Sequence, residues 1–226
     1  MTAARRGVFV TGTDTGVGKT RVACALLRAL QARGIDAGAM KPVETGVGPG
    51  GPADALALRA AARTADALSD VCPQRFALAA APTVAARAEG RCVDLAAIDA
   101  AWQRLRAQHD FMVVEGAGGL LVPVAEGVTV ADLAARFALP LVVVARAALG
   151  TINHTRLTVE VARARGLAVA GVAVCYADGI PSATDSANLE ALRSEPGAPW
   201  LGEIPPLEPG EEPPSGCLDL AALLRA

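Results

Sequence analysis

A glycine-rich segment near the start of the chain has the residue types that bind phosphate groups. It runs from Gly12 to Thr20 with the sequence GTDTGVGKT. Glycines let consecutive backbone N–H groups converge on phosphate oxygens, and the start of a following helix adds its dipole. In the known motif the lysine, here Lys19, binds the β- and γ-phosphates, and the hydroxyl that follows it, here of Thr20, is a ligand of Mg²⁺. This loop is one residue longer than the standard motif, and the alternative interpretation is a glycine-rich turn that caps a helix.

The two lysines of the chain are candidates for the same chemistry. Of 21 basic residues, only Lys19 and Lys41 are lysine and the other 19 are arginine. A compact ammonium group suits positions where a forked guanidinium does not fit. Both lysines come near the end of a strand-like run, and a second cation near the γ-phosphate is what phosphoryl transfer requires. The alternative is that the rarity of lysine is chance.

Two acidic residues are candidate ligands for Mg²⁺, which prefers carboxylate oxygens. Glu115 follows the apolar run Phe111–Val114 and precedes Gly-Ala-Gly-Gly, which suits close approach of the backbone to a ligand. In an open parallel sheet the ligand crevice lies at such strand ends. Asp54 follows a glycine- and proline-rich loop over Gly46–Pro52. The alternatives are an ordinary solvated acid for Glu115 and a helix N-cap for Asp54.

Strand and helix patterns alternate along the chain and predict the elements that position these residues. Predicted strands are Gly7–Thr11, Ile35–Met40, Phe111–Val114, Leu141–Ala145 and Ala168–Val174. Predicted helices are Thr20–Arg33, Asp54–Arg63, Asp94–Gln108, Asn153–Ala164 and one from the Thr129–Asp132 capping box to Phe137. Parallel strands need such helical crossovers, so we expect an α/β fold of the P-loop NTPase type, a mainly parallel sheet with helices on both faces.

The last part of the chain departs from this alternation. Seven of the 15 prolines fall between Pro196 and Pro214, which predicts an extended loop there. We expect Cys217–Arg225 to form a short helix.

Length and composition favour one domain and exclude several classes of protein. With 226 residues the chain is ample for one core and thin for two, so 1–226 is expected as a single domain. The net charge of −2 argues against nucleic-acid and anionic-lipid partners. The apolar runs are shorter than the ~18 residues of a membrane span. Five widely spaced cysteines without a C-x-x-C pair favour a reduced, cytoplasmic location.

Taken in order, several short motifs resemble the dethiobiotin synthetase family. They are GTDTGVGKT, KPVxTG, DALAL, VEGAGG, LGTINHT and GEIP, and the resemblance extends from Val8 to about Pro205. It implies a homodimeric P-loop enzyme that closes the ureido ring of dethiobiotin in biotin synthesis, with ATP as co-substrate and Mg²⁺ as cofactor. Its other small-molecule substrates would be 7,8-diaminopelargonic acid and CO₂, or bicarbonate as its source. The resemblance implies a carbamate and then a carbamic–phosphoric anhydride as intermediates.

The resemblance also implies roles for particular residues. Lys41 and Lys19 would be catalytic, and Thr20, Asp54 and Glu115 would hold the metal ion. The nucleotide would contact Gly16, Val17, Gly18, Lys19, Thr20, Glu115, Gly116, Gly118, Cys175, Tyr176, Glu203, Ile204 and Pro205. The diamine would contact Thr15, Lys41, Thr45, Pro82 and Gly118, and Gly150, Thr151 and Asn153 of the partner subunit would receive its carboxylate tail. From the residues alone, helix capping by Thr151 or Asn153 is the simpler interpretation of that last turn.

Two positions depart from the family pattern. Members often carry Glu in the phosphate loop where this chain has Gly16, so one charged contact is expected to be missing. Many also carry Asn after the strand predicted at Ala168–Val174, where it helps to bind the nucleotide base. This chain has Cys175 and Tyr176 there, which leaves the base preference open.

Other functions fit the same loop less well. A related amide-forming synthetase, such as a cobyrinic acid synthetase, normally carries a glutaminase domain that this chain lacks. A nucleotide-switch ATPase of the partitioning or positioning class ordinarily has an additional lysine in the phosphate loop, and this loop has none. A GTPase would need an N-K-x-D guanine motif, which is absent from the sequence. A pure binding module would leave Lys41 and the loop after Glu115 unexplained.

Overall fold

The centre of the molecule is a six-stranded parallel sheet. We describe it from a computed structural model, which covers residues 7–177, 179–208 and 210–225. The strands lie in the order β10-β9-β8-β1-β5-β2. Their bounds are β1 Gly7–Gly12, β2 Ala37–Met40, β5 Phe111–Gly119, β8 Leu141–Arg146, β9 Val169–Cys175 and β10 Trp200–Ile204. Two small sheets stand beside it, a parallel pair β3 (Val43–Thr45) and β4 (Gln74–Phe76) and an antiparallel pair β6 (Pro123–Ala125) and β7 (Val128–Thr129).

Helices connect the strands and cover both faces of the central sheet. Their bounds are α1 Lys19–Ala32, α2 Ala53–Ala62, α3 Leu68–Val71, α4 Pro82–Ala88, α5 Leu95–Gln108, α6 Val130–Phe137, α7 Thr151–Ala164, α8 Ala183–Ser194 and α9 Leu220–Arg225. Helices α1, α2 and α9 pack on one face, while α4, α5, α6 and α7 pack on the other. Successive residues of a strand point to opposite faces, so Val8 and Val10 join the first cluster and Phe9 joins the second.

The register of the sheet brings the candidate residues to one edge. Val10 of β1 lies beside Glu115 of β5, and Met40 at the end of β2 lies beside Val114. Because all six strands run in the same direction, the phosphate loop after β1 and Lys41 after β2 emerge at the same edge as Glu115. This is the edge where open α/β sheets bind their ligands.

The expected α/β architecture with a mainly parallel sheet and helices on both faces is confirmed. The Thr129–Asp132 capping box and the Asp94 N-cap are also present. Two expectations about the end of the chain are wrong in detail. The proline-rich stretch is not only a loop, because Trp200–Ile204 pairs with β9 as the edge strand β10. The final helix begins at Leu220 rather than Cys217.

None of the helices formed by the described residues has the length and apolar character that a bilayer-spanning segment needs.

Candidate active site

A cavity of about 650 Å³ opens at the carboxyl edge of β1, β2 and β5. Its walls are formed by parts of the phosphate loop, the start of α1, the segment after β2, the start of α2, the end of β5 and the segment before α4. Its lining residues are Thr15, Gly16, Gly18, Lys19, Thr20, Arg21, Lys41, Val43, Glu44, Thr45, Asp54, Ala79, Ala80, Ala81, Pro82, Glu115, Ala117, Gly118, Val122 and Ala177. The cavity therefore contains both lysines and three carboxylates.

The phosphate loop packs closely against the end of strand β9. Gly18 caps α1 with φ 92°, in the left-handed region that favours glycine. A Cβ atom at Gly18 would lie 2.3 Å from the Cys175 Sγ atom at the end of β9. The Lys19 ammonium donates a hydrogen bond to the backbone oxygen of Asp14, at 3.0 Å. The strand–loop–helix arrangement therefore agrees with a phosphate-binding loop rather than a simple turn.

Lys41 lies between two carboxylates at the base of the cavity. Its Nζ atom is 2.8 Å from Asp54 Oδ2, and it also donates a hydrogen bond to Glu115 Oε1. The Thr20 hydroxyl donates to the same Glu115 oxygen at 3.0 Å. The other oxygen, Glu115 Oε2, is buried and has no hydrogen-bond partner among the described residues. A buried carboxylate oxygen without a partner is costly, so its position points to a ligand that would complete it.

The electrostatics of the two lysines differ because their neighbours differ. Burial alone would lower the pKa of Lys41, but the Glu115 and Asp54 carboxylates outweigh it and raise that pKa above its usual value. Burial and the nearby Lys41 lower the pKa of Lys19. Lys41 lowers the pKa of Asp54 against the opposite effect of burial. Lys41 therefore stays a cation near neutral pH, paired with ionised Asp54.

The alternatives for the two acids do not hold. Glu115 is 1% exposed and lies inside β5, which continues to Gly119, so it is not a solvated acid at a strand end. Pro52 occupies the N-cap position of α2, and Asp54 is the second residue of that helix. Its side chain bonds Lys41 instead of capping the helix.

Glu44 is a functional candidate that our reasoning from the sequence did not single out. It lies in β3, is 5% exposed and lines the cavity. Its two carboxylate oxygens accept the backbone N–H groups of Asp54 and Ala55, at 3.0 and 2.9 Å. It stands at the unspecified position of the motif KPVxTG, three residues after Lys41, so the motif gave no signal for it. Arg21, at the start of α1, was also missed.

Some of the expected site residues lie elsewhere in the molecule. Eleven of them line the cavity: Thr15, Gly16, Gly18, Lys19, Thr20, Lys41, Thr45, Asp54, Pro82, Glu115 and Gly118. Val17 is buried in the core beneath the loop, and Gly116 faces Phe9 and Val130.

The residues expected near the nucleotide base lie where β9 and β10 end. The backbone N–H of Tyr176 donates to the Ile204 oxygen, and Cys175 pairs with Ile204 in the sheet. Pro205 follows directly. The Tyr176 hydroxyl donates to Glu203 Oε2 at 2.6 Å, and Arg193 bonds the other Glu203 oxygen. Burial raises the pKa of Tyr176 to about 12. Glu203 is therefore engaged within the chain on both of its oxygens.

The start of α7 is separate from the main cavity. Gly150 is the N-cap with φ 92°, and no side chain caps the helix, so capping by Thr151 or Asn153 is wrong. The Thr151 hydroxyl is buried without a partner among the described residues. Asn153 and Gly150 line a second cavity of about 470 Å³, beside the exposed side chains of Leu149 and Leu157.

Comparisons with known proteins agree with this geometry. A family model described as an AAA domain matches residues 6–213. The ATP-dependent dethiobiotin synthetase BioD of Anaeromyxobacter sp. (strain K) is 58% identical over 167 residues, which cover 74% of this chain and 75% of that protein. The enzyme of the same name from Bacillus licheniformis is 39% identical over 204 residues, 90% of this chain and 87% of that protein.

Solved structures support the fold alone. The signal recognition particle receptor FtsY from Elizabethkingia anophelis matches with a TM-score of 0.53 and 12% sequence identity, covering the whole of this chain and 65% of that chain. The fold is thus of the P-loop NTPase type. The curated relatives favour an ATP-dependent ligase over a nucleotide-switch ATPase or an amide-forming synthetase. The chain belongs to the dethiobiotin synthetase family.

Proposed function

We propose that this chain converts 7,8-diaminopelargonic acid, CO₂ and ATP into dethiobiotin, ADP and phosphate. The observation that carries the proposal is the Lys41 ammonium held between Asp54 and Glu115, in one cavity with the phosphate-loop residues Lys19 and Thr20. The substrate supplies every nucleophile of this reaction. The protein therefore needs cations and positioning groups rather than a reactive side chain, and the cavity offers these.

Three bond-forming steps make up the proposed reaction. One substrate amine attacks CO₂ and loses a proton, which gives a carbamate. A carbamate oxygen then attacks the γ-phosphorus of ATP, and ADP leaves. The second amine attacks the carbamoyl carbon, the bond from that carbon to the phosphate oxygen breaks, and phosphate and a proton are released. Positioning and charge stabilisation do most of the work in such phosphoryl transfers.

The lysines would have different tasks in this sequence. Lys19 extends from the phosphate loop and would bind the β- and γ-phosphates of ATP. Lys41 keeps its positive charge because of its two carboxylate partners, and it would bind the carbamate and the phosphoryl group in transfer. Thr15, Thr45, Pro82 and Gly118 surround the same cavity and would contact the diamine.

We propose Thr20, Asp54 and Glu115 as the residues that hold Mg²⁺. The donor set consists of hard oxygen atoms, as Mg²⁺ prefers. Glu115 Oε2 is buried and has no partner among the residues that the structure describes, and Thr20 Oγ1 lies 3.0 Å from the other oxygen of the same carboxylate. The ion would supply further neutralisation of the phosphate charge.

A homodimer is the proposed assembly. Gly150, Thr151 and Asn153 lie outside the main cavity, so they would complete a substrate site only if supplied by the partner subunit. Leu149 and Leu157, which are 73% and 55% exposed, line the second cavity with Gly150 and Asn153 and would be covered in a dimer. Analytical ultracentrifugation of the wild-type chain and of Leu149→Glu tests this, because the negative charge introduced at this surface should weaken dimer association. A monomeric wild-type chain would refute it.

The remaining proposals concern base recognition, location and extent. Cys175, Tyr176 and Glu203 to Pro205 would lie near the nucleotide base, and the engagement of Glu203 by Arg193 supports relaxed base selection.

We propose that residues 1–226 form a single domain and that the protein works in the cytoplasm. Burial raises the pKa of Cys24 and Cys72 to about 12, which keeps both thiols protonated near neutral pH.

Phosphate release is the direct test of the proposed reaction. With diaminopelargonic acid, bicarbonate and Mg·ATP, release should depend on the diamine and dethiobiotin should form in equal amount. Equal release without the diamine would contradict the proposal. The same assay with several nucleoside triphosphates tests base selection.

A further inference from the structure

Asp54 is held from two sides by residues that are three positions apart. Its carboxylate lies 2.8 Å from Lys41 Nζ, and its backbone N–H donates to Glu44 Oε1 at 3.0 Å. Lys41 and Glu44 belong to one short segment that follows β2. One segment therefore fixes both the side chain and the backbone of the same residue.

The start of α2 depends on Glu44 because little else satisfies it. The first N–H groups of a helix have no partner within the helix, and the Pro52 N-cap offers no side-chain oxygen. Glu44 accepts the N–H groups of both Asp54 and Ala55, whereas Leu56 already bonds the Pro52 oxygen. A carboxylate at this end also interacts favourably with the helix dipole. The preceding residues 46–52 are bonded to the rest of the chain at their start, where the N–H groups of Gly46 and Val47 donate to the backbone oxygens of Leu78 and Phe76.

Glu44 is itself anchored independently of α2. Its strand β3 pairs with β4 in parallel, with Glu44 beside Arg75. The backbone N–H of Lys41 donates to the Val71 oxygen at 2.7 Å. The segment with Lys41 and Glu44 is therefore fixed by α3 and β4, and the start of α2 is fixed to it.

We propose that Glu44 is a positioning residue for the ligase reaction. By accepting the first N–H groups of α2, it sets the Asp54 carboxylate against Lys41 and beside Glu115 at the floor of the cavity. The proposal rests on the roles proposed above for Lys41 and Asp54. It assigns Glu44 an effect on catalysis that acts through Asp54 and not through contact with the substrate.

The competing explanation is that Glu44 only stabilises the fold, as any helix cap does. The chain offers a matched control in Asp94, whose carboxylate accepts the Ala97 N–H at the start of α5 at 2.9 Å. Asp94 does not line the cavity. Asp94→Ala therefore removes a carboxylate cap of the same kind without disturbing Asp54.

The experiment compares Glu44→Ala, Glu44→Gln and Asp94→Ala with the wild-type chain. We expect Glu44→Ala to lower kcat/KM and to raise the half-saturating Mg²⁺ concentration by about 10- to 100-fold, the usual effect of residues that orient metal ligands. Glu44→Gln keeps one acceptor oxygen, so both of its values should lie between those of the wild-type chain and those of Glu44→Ala. Asp94→Ala should lower the melting temperature with unchanged kinetic constants. Hydrogen exchange of the amides in residues 53–58 should speed up in the Glu44 variants alone.

A double-mutant cycle with Asp54→Asn separates the two explanations. If Glu44 acts through Asp54, Glu44→Ala should cause little further loss of activity in the Asp54→Asn background. If the losses of activity caused by the two substitutions multiply, the proposal is overturned. It is also overturned if the activity of Glu44→Ala falls only in proportion to the fraction of the variant that is folded. If Glu44→Ala does not fold, Glu44→Gln and its amide exchange decide the question. A wild-type chain without diamine-dependent turnover would refute the proposed function instead, and the exchange measurement would still report on the Glu44 contact.

Discussion

Two clusters at opposite edges of the central sheet place one basic group between two carboxylates. At the carboxyl edge, Lys41 lies between Asp54 and Glu115. At the amino edge, His109 Nδ1 is 3.0 Å from Asp36 and Nε2 is 2.9 Å from Asp66. Their exposures also match, because in each cluster the basic side chain and one carboxylate are nearly buried while the other carboxylate is about half exposed.

The surroundings of the two clusters differ, and that difference separates a reaction site from a structural contact. Lys41 faces the cavity that the phosphate loop lines, and one Glu115 oxygen there has no partner in the described part of the chain. The His109 ring instead packs on Gly38 of β2, where a Cβ atom would lie 2.3 Å from its Cδ2 atom. His109 precedes Glu115 by six residues, roughly 20 Å along an extended strand. We infer that the first cluster serves catalysis and the second serves stability.

The largest expected effect comes from Lys41. Lys41→Met removes the cation, and we expect kcat to fall about 100- to 1,000-fold, as for the loss of one preorganised charge-stabilising donor. Lys41→Arg should also lose most activity, because a guanidinium does not fit the space of a 5% exposed ammonium between two carboxylates. Steady-state kinetics on variants shown to be folded by circular dichroism measure this. Near-normal rates for Lys41→Arg would contradict the role of the ammonium.

His109→Gln should have the opposite profile. It leaves Asp66, 7% exposed, without a charged partner, and we expect about 2 kcal/mol lower free energy of unfolding, as for a hydrogen bond to a charged group. The melting temperature should fall by roughly 4–8 °C for a chain of this size, while kcat per folded molecule stays the same. Denaturant melts and kinetics on the same samples test both parts. A loss of kcat in the folded variant would abolish the distinction between the two clusters.

The sequence predicts the carboxyl-edge cluster better than the amino-edge cluster, and the reason is physical. The glycine loop and the lysine count identify Lys19 and Lys41, and strand ends place Glu115 at the same edge. The pairing of His109 with Asp36 and Asp66 depends on where β2 and the α2–α3 connection pack, which no local spacing encodes.

Two further features escaped prediction for similar reasons. Glu44 accepts hydrogen bonds from backbone N–H groups ten and eleven residues away, a contact with no sequence signature. Strand β10 lies between Pro199 and Pro205, so the proline-rich composition around it hides a short edge strand whose partner is β9.

The amino-edge cluster should also make stability depend on pH. Burial acts to lower the pKa of His109, but its bonds to Asp36 and Asp66 outweigh this and raise it above the ordinary value of 6.5. A group whose pKa is higher in the folded than in the unfolded chain stabilises the fold fully at pH values below its unfolded-state pKa. That contribution is lost as the pH rises through its folded-state pKa. The difference in free energy of unfolding between the wild-type chain and His109→Gln should therefore shrink as pH rises above about 6.5. Urea melts from pH 5.5 to 9 measure it, and a difference that grows with pH would be contrary evidence.

The smallest effect concerns two arginines on α1 that repeat the contrast on one helix. Arg21 lines the cavity and has no hydrogen bond or ion pair to another residue in the described part of the chain. Arg28, two turns later, forms an ion pair with Glu212 at 2.8 Å, outside the cavity. An unpaired guanidinium beside the phosphate loop is available to an anionic ligand, whereas a paired surface arginine contributes at most about 1 kcal/mol to stability.

We expect Arg21→Ala to raise the KM for ATP about fivefold, a free-energy change of about 1 kcal/mol. The increase should be smaller at high salt because the charge is partly exposed. Arg28→Ala should leave KM unchanged. Equal effects of the two substitutions would show that net charge, and not position in the cavity, determines nucleotide affinity.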